Sequence, residues 1–245
     1  MVMEMKRPKL SIVLPCYNES RNIPLNLKRI AEVIDGISIE LILVNNGSTD
    51  DSKKVLNREL KNPKYKFARC VHIKRNKGYG HGILTGLKAA SGNYISYSHA
   101  DLQTDPKDII SGFNNLLKSK NPKKVLMKGK RLKREPIDWF FATSFQLIAD
   151  ILFLKRFNDI NGQPKIFHRD FLLLLANPPS DANFDLYLQY IALKNNMKVE
   201  SIPVILAKRL HGHSSWNFNF YSRLKLTKIY FIYLIKLRLF GNNIP

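Results

Sequence analysis

The sequence predicts an α/β protein built on a doubly wound, mostly parallel β-sheet. The first reason is that short aliphatic and β-branched runs alternate four times with stretches of helical periodicity between residues 10 and 118. The second is that each run stops abruptly at polar or glycine-rich residues, as buried parallel strands do. A chain of 245 residues, 44% of them hydrophobic, can form one large domain of this class, with or without appended helices.

Four strand–loop–helix units follow one another in the first half of the chain. The predicted strands span residues 10–14, 39–44, 67–73 and 94–98. The predicted helices span residues 22–34, 51–60, from the glycine-rich turn at 76–82 to 91, and 107–118. Ser48 or Thr49 can cap the second helix, Gly92 is expected to end the third, and Pro106 suits the first turn of the fourth.

The second half of the chain is predicted to complete the sheet and to add two aromatic helices. Its predicted segments are a strand at 125–127, a basic loop at 128–134, an apolar helix at 136–154, an irregular loop and strand at 161–171, a helix over Phe184–Lys194, a strand at 199–206, a polar loop at 209–216 and an aromatic, basic segment at 218–240. We expect residues 1–216 to form the α/β domain and residues 217–245 a basic, aromatic C-terminal helix, both aromatic helices being amphipathic.

The chain is strongly basic, because 40 Lys and Arg residues against 19 Asp and Glu residues give a net charge of +21. A field of this sign favours nucleic acid, anionic lipid headgroups or phosphorylated substrates. The basic residues are spread along the chain without the pattern of a nucleic-acid-binding motif, so we expect no nucleic-acid partner. Cys16 and Cys70 do not form a CxxC pair, which favours a reduced, cytosolic protein without disulfides.

Signals for secretion or for a membrane span are not expected from this sequence. Residues 1–9 lack the apolar core of a signal peptide. The longest apolar run, residues 139–149, lies between Asp138 and Asp150 and is shorter than a transmembrane helix.

Polar loops follow the four predicted parallel strands, where open α/β sheets bind ligands. They span residues 15–20, 45–50, 76–82 and 99–103. If the loop at residues 99–103 is extended, His99, Asp101 and Gln103 share one face, since alternate side chains of a strand do so. One imidazole, one carboxylate and one amide oxygen could bind Mn²⁺ or Mg²⁺, with the imidazole favouring Mn²⁺. The alternative is a polar turn in which Asp105 and Pro106 begin the next helix.

Several motifs together resemble those of family-2 glycosyltransferases with the GT-A fold, and are closest in pattern to dolichol- or polyprenyl-phosphate sugar synthases. The matching segments are residues 12–19, 43–50, 76–80, 90–94, 100–103, 202–204 and 209–214. The resemblance covers residues 9–216 and implies a GT-A domain that binds a nucleoside-diphosphate sugar and a divalent metal ion, Mn²⁺ or Mg²⁺.

The resemblance assigns the first three loops to donor binding. The implied donor-binding residues are Pro15, Tyr17, Glu19, Asn46, Ser48, Lys77, Gly78, Gly80 and Ala100. Two aspartates of the family pattern are replaced by Asn45 and Asn46; an amide both donates and accepts hydrogen bonds, so the base of the donor nucleotide is left open. Each polar residue also has an ordinary alternative, such as a turn asparagine at position 46 or a helix N-terminal carboxylate at Glu19.

The resemblance also implies metal, phosphate and catalytic roles near the other loops. The family's Asp-x-Asp metal element appears as His99-x-Asp101, with Gln103 two places later. Arg209, His211 and Ser214 correspond to a late loop that contacts acceptor or diphosphate, although the usual lysine is Ser215 here. Asp185 matches the aspartate that serves inverting relatives as general base, with Phe184 in place of the preceding glutamate. Asp101, Asp185 and Arg209 are therefore the expected catalytic residues.

These observations predict an inverting, metal-dependent transferase that moves a hexose from a nucleoside-diphosphate sugar to polyprenyl phosphate. The alternatives are transfer to a hydroxyl of a lipid-linked or cell-surface glycan, or a catalytically degenerate binding module of the same fold. Residues 136–154 and 218–240 mix aromatic residues with Lys and Arg, as interfacial helices do, although core packing is the other explanation. Lys225, Lys228, Lys236 and Arg238 would then face anionic headgroups, at the inner face of the cell membrane.

Overall fold

The computed structural model describes residues 7–34, 36–211 and 220–241. Numbered in chain order, its strands are β1 (Leu10–Cys16), β2 (Ile39–Asn46), β3 (Ala68–Ile73), β4 (Tyr94–Tyr97), β5 (Val125–Arg131), β6 (Lys165–His168) and β7 (Lys198–Val204). In the described residues they form one sheet with the order β3-β2-β1-β4-β6-β5-β7. This arrangement confirms the predicted α/β class.

The parallel half of the sheet determines where a ligand can bind. β1 lies between β2 and β4 and is parallel to both, with Leu10 opposite Ile39 on one side and Tyr94 on the other. β3 continues the parallel arrangement outside β2. The carboxyl ends of β1 to β4 therefore lie along one edge of the sheet, as predicted. β6 is antiparallel to β4 and β5, while β5 and β7 are parallel.

Seven helices of the described chain surround the sheet. They are α1 (Ile23–Val33), α2 (Ser52–Glu59), α3 (Tyr79–Ala89), α4 (Pro106–Leu117), α5 (Pro136–Phe153), α6 (Phe184–Lys194) and α7 (Phe220–Phe240). Asp105 caps α4, because its Oδ1 accepts a hydrogen bond from the Lys107 N–H at 2.9 Å, and Pro106 occupies the first turn.

Helices cover both faces of the sheet, so adjacent residues of β1 belong to two different cores. Val13 packs in the cluster that contains Ile83 of α3, and Ile12 packs in the cluster that contains Leu27 of α1. All four side chains are fully buried, which stabilises the fold by about 1.5–3 kcal/mol for each. Gly86 lets α3 approach the sheet closely, since a Cβ there would lie 2.3 Å from Val13 Cγ1.

The prediction of a basic loop at residues 128–134 is wrong for residues 128–131. β5 runs through Arg131, and Lys128 has no exposed surface. Its ammonium donates to the backbone carbonyls of Asn158 at 2.5 Å, Asp159 at 2.7 Å and Gly129 at 3.1 Å. These three acceptors allow a lysine to lie inside the sheet, which a composition-based prediction of a solvated loop does not anticipate.

Two predicted helix limits are also wrong. The N-cap position of α2 is Asp51, with no side-chain capping bond, so neither Ser48 nor Thr49 caps it. α3 ends at Ala89, and the Gly92 N–H instead donates to Ser11 Oγ at 2.8 Å. Ser48 Oγ accepts from the Asn18 N–H instead, so both groups bond to residues of another segment rather than to their own helix.

The C-terminal helix α7 packs against α5 through Phe145 and Tyr230, whose ring centroids lie 5.4 Å apart. Leu234 and Leu237 of α7 are fully buried. The division of the chain after residue 216 stays a prediction. None of the helices in the described ranges combines the length and apolar composition needed to cross a bilayer.

Candidate functional site

The loops that follow β1 and β2 are fastened to each other by hydrogen bonds. The Asn18 N–H donates to Ser48 Oγ at 3.1 Å, and Asn18 Oδ1 accepts from the Thr49 N–H at 2.9 Å. The Ser20 N–H donates to Asp50 Oδ2 at 3.2 Å. Ser48 thus holds the two loops together, whereas Tyr17 is exposed beside them.

A cavity of about 260 Å³ opens beside these loops. It is lined by Asn18, Glu19, Ser20, Arg21, Asn22, Asp50 and His211. His211 comes from the late loop, so the structure brings two predicted site segments to one cavity. Burial raises the pKa of Glu19 even though the Asn22 amide donates to its carboxylate at 2.5 Å. Ser214 lies outside the described residues.

The Asn46 side chain at the end of β2 is buried, and only its amide nitrogen is hydrogen-bonded. Its amide nitrogen donates to the Gly78 carbonyl at 3.0 Å, but its Oδ1 has no hydrogen-bond partner among the described residues. An unpaired buried acceptor costs about 1–3 kcal/mol. Asn45, by contrast, accepts from the Ser48 N–H at 3.0 Å. Asn46 Oδ1 is therefore an unpaired acceptor at the carboxyl end of β2, although the atom itself is buried.

The glycine-rich turn is shaped by the loop at residues 178–181. Gly78 has a φ of 112°, and a Cβ there would lie 2.3 Å from the Ser180 carbonyl oxygen. The N–H groups of Gly80 and His81 already donate to the carbonyls of Asp181 at 3.2 Å and Ser180 at 3.0 Å. The prediction that this backbone meets a diphosphate is therefore wrong for those two N–H groups. Lys77, in the same turn, is exposed.

Residues 99–103 form a turn, so the prediction that their alternate side chains share a strand face is wrong. β4 ends at Tyr97, Leu102 has a φ of 62°, and Asp101 Oδ1 accepts from the Gln103 N–H at 3.1 Å. The reason is that the buried Leu102 points its side chain into the protein. Ala100 is buried as well, and its carbonyl accepts from the Asn26 amide at 2.7 Å.

The turn nevertheless brings Asp101, Gln103 and Arg209 together. Arg209 Nη2 lies 2.6 Å from Asp101 Oδ2 and 3.4 Å from Gln103 Oε1. The Ala207 N–H donates to the Gln103 carbonyl at 2.9 Å, which attaches the late loop to the end of β4. His99 is not part of this cluster; its ring lies against Tyr79, with centroids 5.7 Å apart.

Two of the three predicted metal ligands, Asp101 and Gln103, contact Arg209. In the described part of the chain no group of three His, Cys, Asp or Glu side chains is placed to hold a metal ion. The one carboxylate of the turn, Asp101, is paired with Arg209. These residues could give a divalent cation one carboxylate ligand, that of Asp101. Its remaining ligands would have to come from a bound substrate.

Asp185, the predicted general base, lies at the start of α6 and is surrounded by donors. Its Oδ1 accepts from the Tyr97 hydroxyl at 2.6 Å, the Lys165 ammonium at 2.6 Å and the Gln163 amide at 3.1 Å. Its Oδ2 accepts from the Tyr79 hydroxyl at 3.3 Å. Asp185 is 3% exposed and Lys165 has no exposed surface.

The electrostatics of this pair oppose a role in proton abstraction. Burial by itself raises the pKa of Asp185, but the charge and hydrogen bond of Lys165, together with the hydrogen bond from Tyr97, lower it. A general base works best with a pKa near the operating pH and within reach of the proton it removes. The four donors and the lowered pKa of Asp185 oppose this role, and its assignment as general base stays a prediction.

Sequence reasoning missed the partners of Asp185, which are Tyr79, Tyr97, Gln163 and Lys165. The available signal was Lys165, which directly precedes Ile166 and Phe167 in a segment predicted as a strand. A lysine inside an apolar strand requires a buried partner, because an unpaired ammonium is very costly to bury. The partner itself could not be identified, since it lies 20 residues away on α6.

A family model and several known proteins match the sequence of this chain. A family model described as "Glycosyl transferase family 2" matches residues 11–135, about half of the chain. An undecaprenyl-phosphate 4-deoxy-4-formamido-L-arabinose transferase from Proteus mirabilis is 25% identical over 215 residues, covering 86% of this chain and 63% of that protein. A transferase of the same name from Photorhabdus laumondii is 34% identical over 103 residues, covering 41% of this chain and 31% of that protein. The chain thus spans less than two thirds of the length of these relatives.

Solved structures share the fold. Glucosyl-3-phosphoglycerate synthase from Mycobacterium tuberculosis, in complex with Mn²⁺, UDP and glucosyl-3-phosphoglycerate, superposes with a TM-score of 0.71 at 19% identity, covering 94% of this chain and 80% of that one. A mannosyltransferase from Pyrobaculum calidifontis, in complex with GDP-mannose and Mn²⁺, gives a TM-score of 0.61 at 20% identity, covering 86% and 59%. At such identities the likeness shows the GT-A architecture alone.

Proposed function

The chain belongs to glycosyl transferase family 2, and we propose that it transfers a hexose from a nucleoside-diphosphate sugar to polyprenyl phosphate with inversion. Relatives named as undecaprenyl-phosphate sugar transferases support a lipid-phosphate acceptor. The proposal covers the donor, the acceptor and the stereochemistry.

The observation that carries the choice of acceptor is the closed surroundings of Asp185. A sugar hydroxyl must lose a proton when it attacks, so its transfer needs a base at the reaction centre. A phosphate oxygen is already ionised near neutral pH and needs none. Because four donors occupy the Asp185 carboxylate and Lys165 is paired with it, this chain suits an acceptor that brings its own anionic nucleophile.

The donor is proposed to bind along the edge formed by the first two loops and the turn after β4. Asn46 Oδ1 can accept from the base or ribose, and Glu19 lines the neighbouring cavity. Lys77 and Arg209 supply positive charge for the diphosphate leaving group. Mn²⁺ or Mg²⁺, if held there with one oxygen from Asp101, would add Lewis-acid neutralisation of the departing diphosphate.

A membrane surface is the proposed location, on the inner face of the cell membrane. On α5 the large side chains Trp139 and Phe140 are 58% and 60% exposed, and on α7 Leu239 is 70% exposed. The lysines and arginine predicted to face headgroups on α7 are exposed as well. Exposed aromatic and aliphatic side chains beside basic ones are typical of helices that lie in the interface and meet anionic lipid.

Two measurements test the proposed function. A thermal-shift screen of UDP-, GDP-, CDP- and dTDP-sugars, with Mn²⁺ or with EDTA, should identify one donor that raises the melting temperature, because a ligand that binds only the folded state stabilises it. Transfer from that donor to undecaprenyl phosphate in detergent is then expected. Donor binding without transfer to any acceptor would instead support a degenerate binding module.

A further inference from the structure

A continuous series of contacts leads from the buried lysine of β6 to the edge of the donor site. Lys165 Nζ binds Asp185 Oδ1 at 2.6 Å, and the Tyr79 hydroxyl donates to Asp185 Oδ2 at 3.3 Å. The Tyr79 ring then lies against the His99 imidazole, with centroids 5.7 Å apart and planes tilted by 30°. None of the donor-binding, metal-binding or acceptor-binding roles explains why these four residues contact one another in sequence.

The two ends of the series lie in different environments. Lys165 is completely buried, whereas His99 is half-buried at the carboxyl end of β4, two residues before Asp101. Gln163 strengthens the middle of the series, because its amide lies 3.1 Å from Asp185 Oδ1 and 3.3 Å from the Tyr79 hydroxyl oxygen. The Tyr79 ring is thus fixed at its hydroxyl end by two buried partners.

We propose that Tyr79 is a positioning residue that fixes the His99 imidazole at the donor site, and that the Lys165–Asp185 pair anchors Tyr79. In this chain the carboxylate that serves inverting relatives as a base has become a structural anchor. Aromatic pairs at this separation restrict one another's orientation. A ring held in one rotamer by neighbours keeps a functional group in productive geometry, which a loop residue on its own does not ensure. The proposal rests on the proposed function only in placing His99 at the donor site.

The direct test uses NMR of protein labelled at its six histidines, with the His99 ring signal assigned by its loss in His99→Gln. Tyr79→Phe removes only the hydroxyl and should shift the His99 ring resonance, because the ring loses its anchor. Tyr79→Leu should shift it further, because the ring itself is removed. These readouts need neither substrate nor metal, so they hold even if the proposed acceptor is wrong.

A second variant tests the anchor without leaving a buried charge unpaired. The double substitution Lys165→Met/Asp185→Leu removes both charges, and pairs replaced in this way are often tolerated. It should shift the His99 resonance in the same direction as Tyr79→Phe. If the double variant does not fold, Tyr79→Phe together with Gln163→Leu decides the question through the same resonance.

Tyr94 and His168 provide the matched control, since they form another tyrosine–histidine pair with ring centroids 5.2 Å apart. Tyr94→Phe should leave the His99 resonance in place. With active enzyme, Tyr79→Phe should lower kcat on the order of ten-fold and leave KM for the donor nearly unchanged. A His99 resonance at its wild-type position in both Tyr79→Phe and the double variant would overturn the proposal.

Discussion

The two halves of the sheet differ in the exposure and hydrogen bonding of their polar residues. At the carboxyl edge of β1, β2 and β4, polar groups are partly exposed, bridge neighbouring loops and leave the buried Asn46 Oδ1 without a partner. Around β5, β6 and α6, the charged groups of Lys128 and Lys165 are fully buried and contact oxygen acceptors. In the proposed function the first region binds a ligand, and the second stabilises the fold. The same residue types can therefore serve a binding site in one region and the stability of the fold in the other.

The largest effect is expected in the open region, from Asp101→Ala. This change removes the carboxylate that pairs with Arg209 at 2.6 Å, and with it the only acidic side chain of the turn after β4. We expect a loss of turnover of about 10²–10³-fold, the range found when one preorganised electrostatic contact is removed. Initial rates and donor affinity measure it. Asp105→Asn is the matched control, since Asp105 caps α4. Unchanged turnover in Asp101→Ala would remove this region from the active site.

The buried region should respond through stability. Lys165→Met leaves Asp185 as an uncompensated buried charge, which costs about 3–5 kcal/mol in the free energy of unfolding. Urea denaturation at neutral pH measures the difference from wild type. Lys198→Met is the control, because the exposed Lys198–Glu200 pair should contribute little. Equal stabilities of the two variants would show that the Lys165–Asp185 pair does not hold the fold together.

Contact with lipid should depend on the exposed face of α5 and α7. The protein should sediment with anionic vesicles and be released only in part by high salt, since screening weakens charge attraction but not apolar insertion. Replacing Lys225, Lys228, Lys236 and Arg238 with Gln should weaken binding by about 1 kcal/mol for each residue near the surface. Lys53 and Lys54 on α2, changed in the same way, are the control. Equal binding of both variants would contradict the assignment.

The pH dependence of stability should also report the titration of the buried Lys128. Burial, with the nearby Lys165 charge, lowers the pKa of Lys128 to about 7. Between that pH and about 10.5, the ordinary pKa of lysine, the unfolded chain binds more protons than the folded one, so stability rises with pH. Lys128→Met should reduce this rise, measured by denaturation at pH 7 and pH 9. A rise of the same size in the variant would show that Lys128 does not titrate in this range.

The sequence predicted the strands and loops of the open region but not the side-chain pairs of the buried one, for a physical reason. Strand runs and the polar loops after them are local signals, so the meeting of residues 15–20, 45–50 and 99–103 followed from parallel topology. The sequence left the choice between an extended segment and a turn at residues 99–103 open, because that choice depends on where the Leu102 side chain is buried. The pairing of Lys165 with Asp185 was missed because a long-range partner leaves no mark on local periodicity.

The measurement that tests the central claim most directly is the turnover of Asp185→Asn with undecaprenyl phosphate, corrected for the folded fraction. The amide oxygen of the asparagine can still accept hydrogen bonds from Tyr97, Lys165 and Gln163 at the Oδ1 position, and an ionised phosphate needs no base. We therefore expect a loss of only a few-fold, below about ten-fold. A loss of about 10²–10⁴-fold, the usual contribution of a general base, would show that Asp185 removes a proton and would contradict the phosphate acceptor.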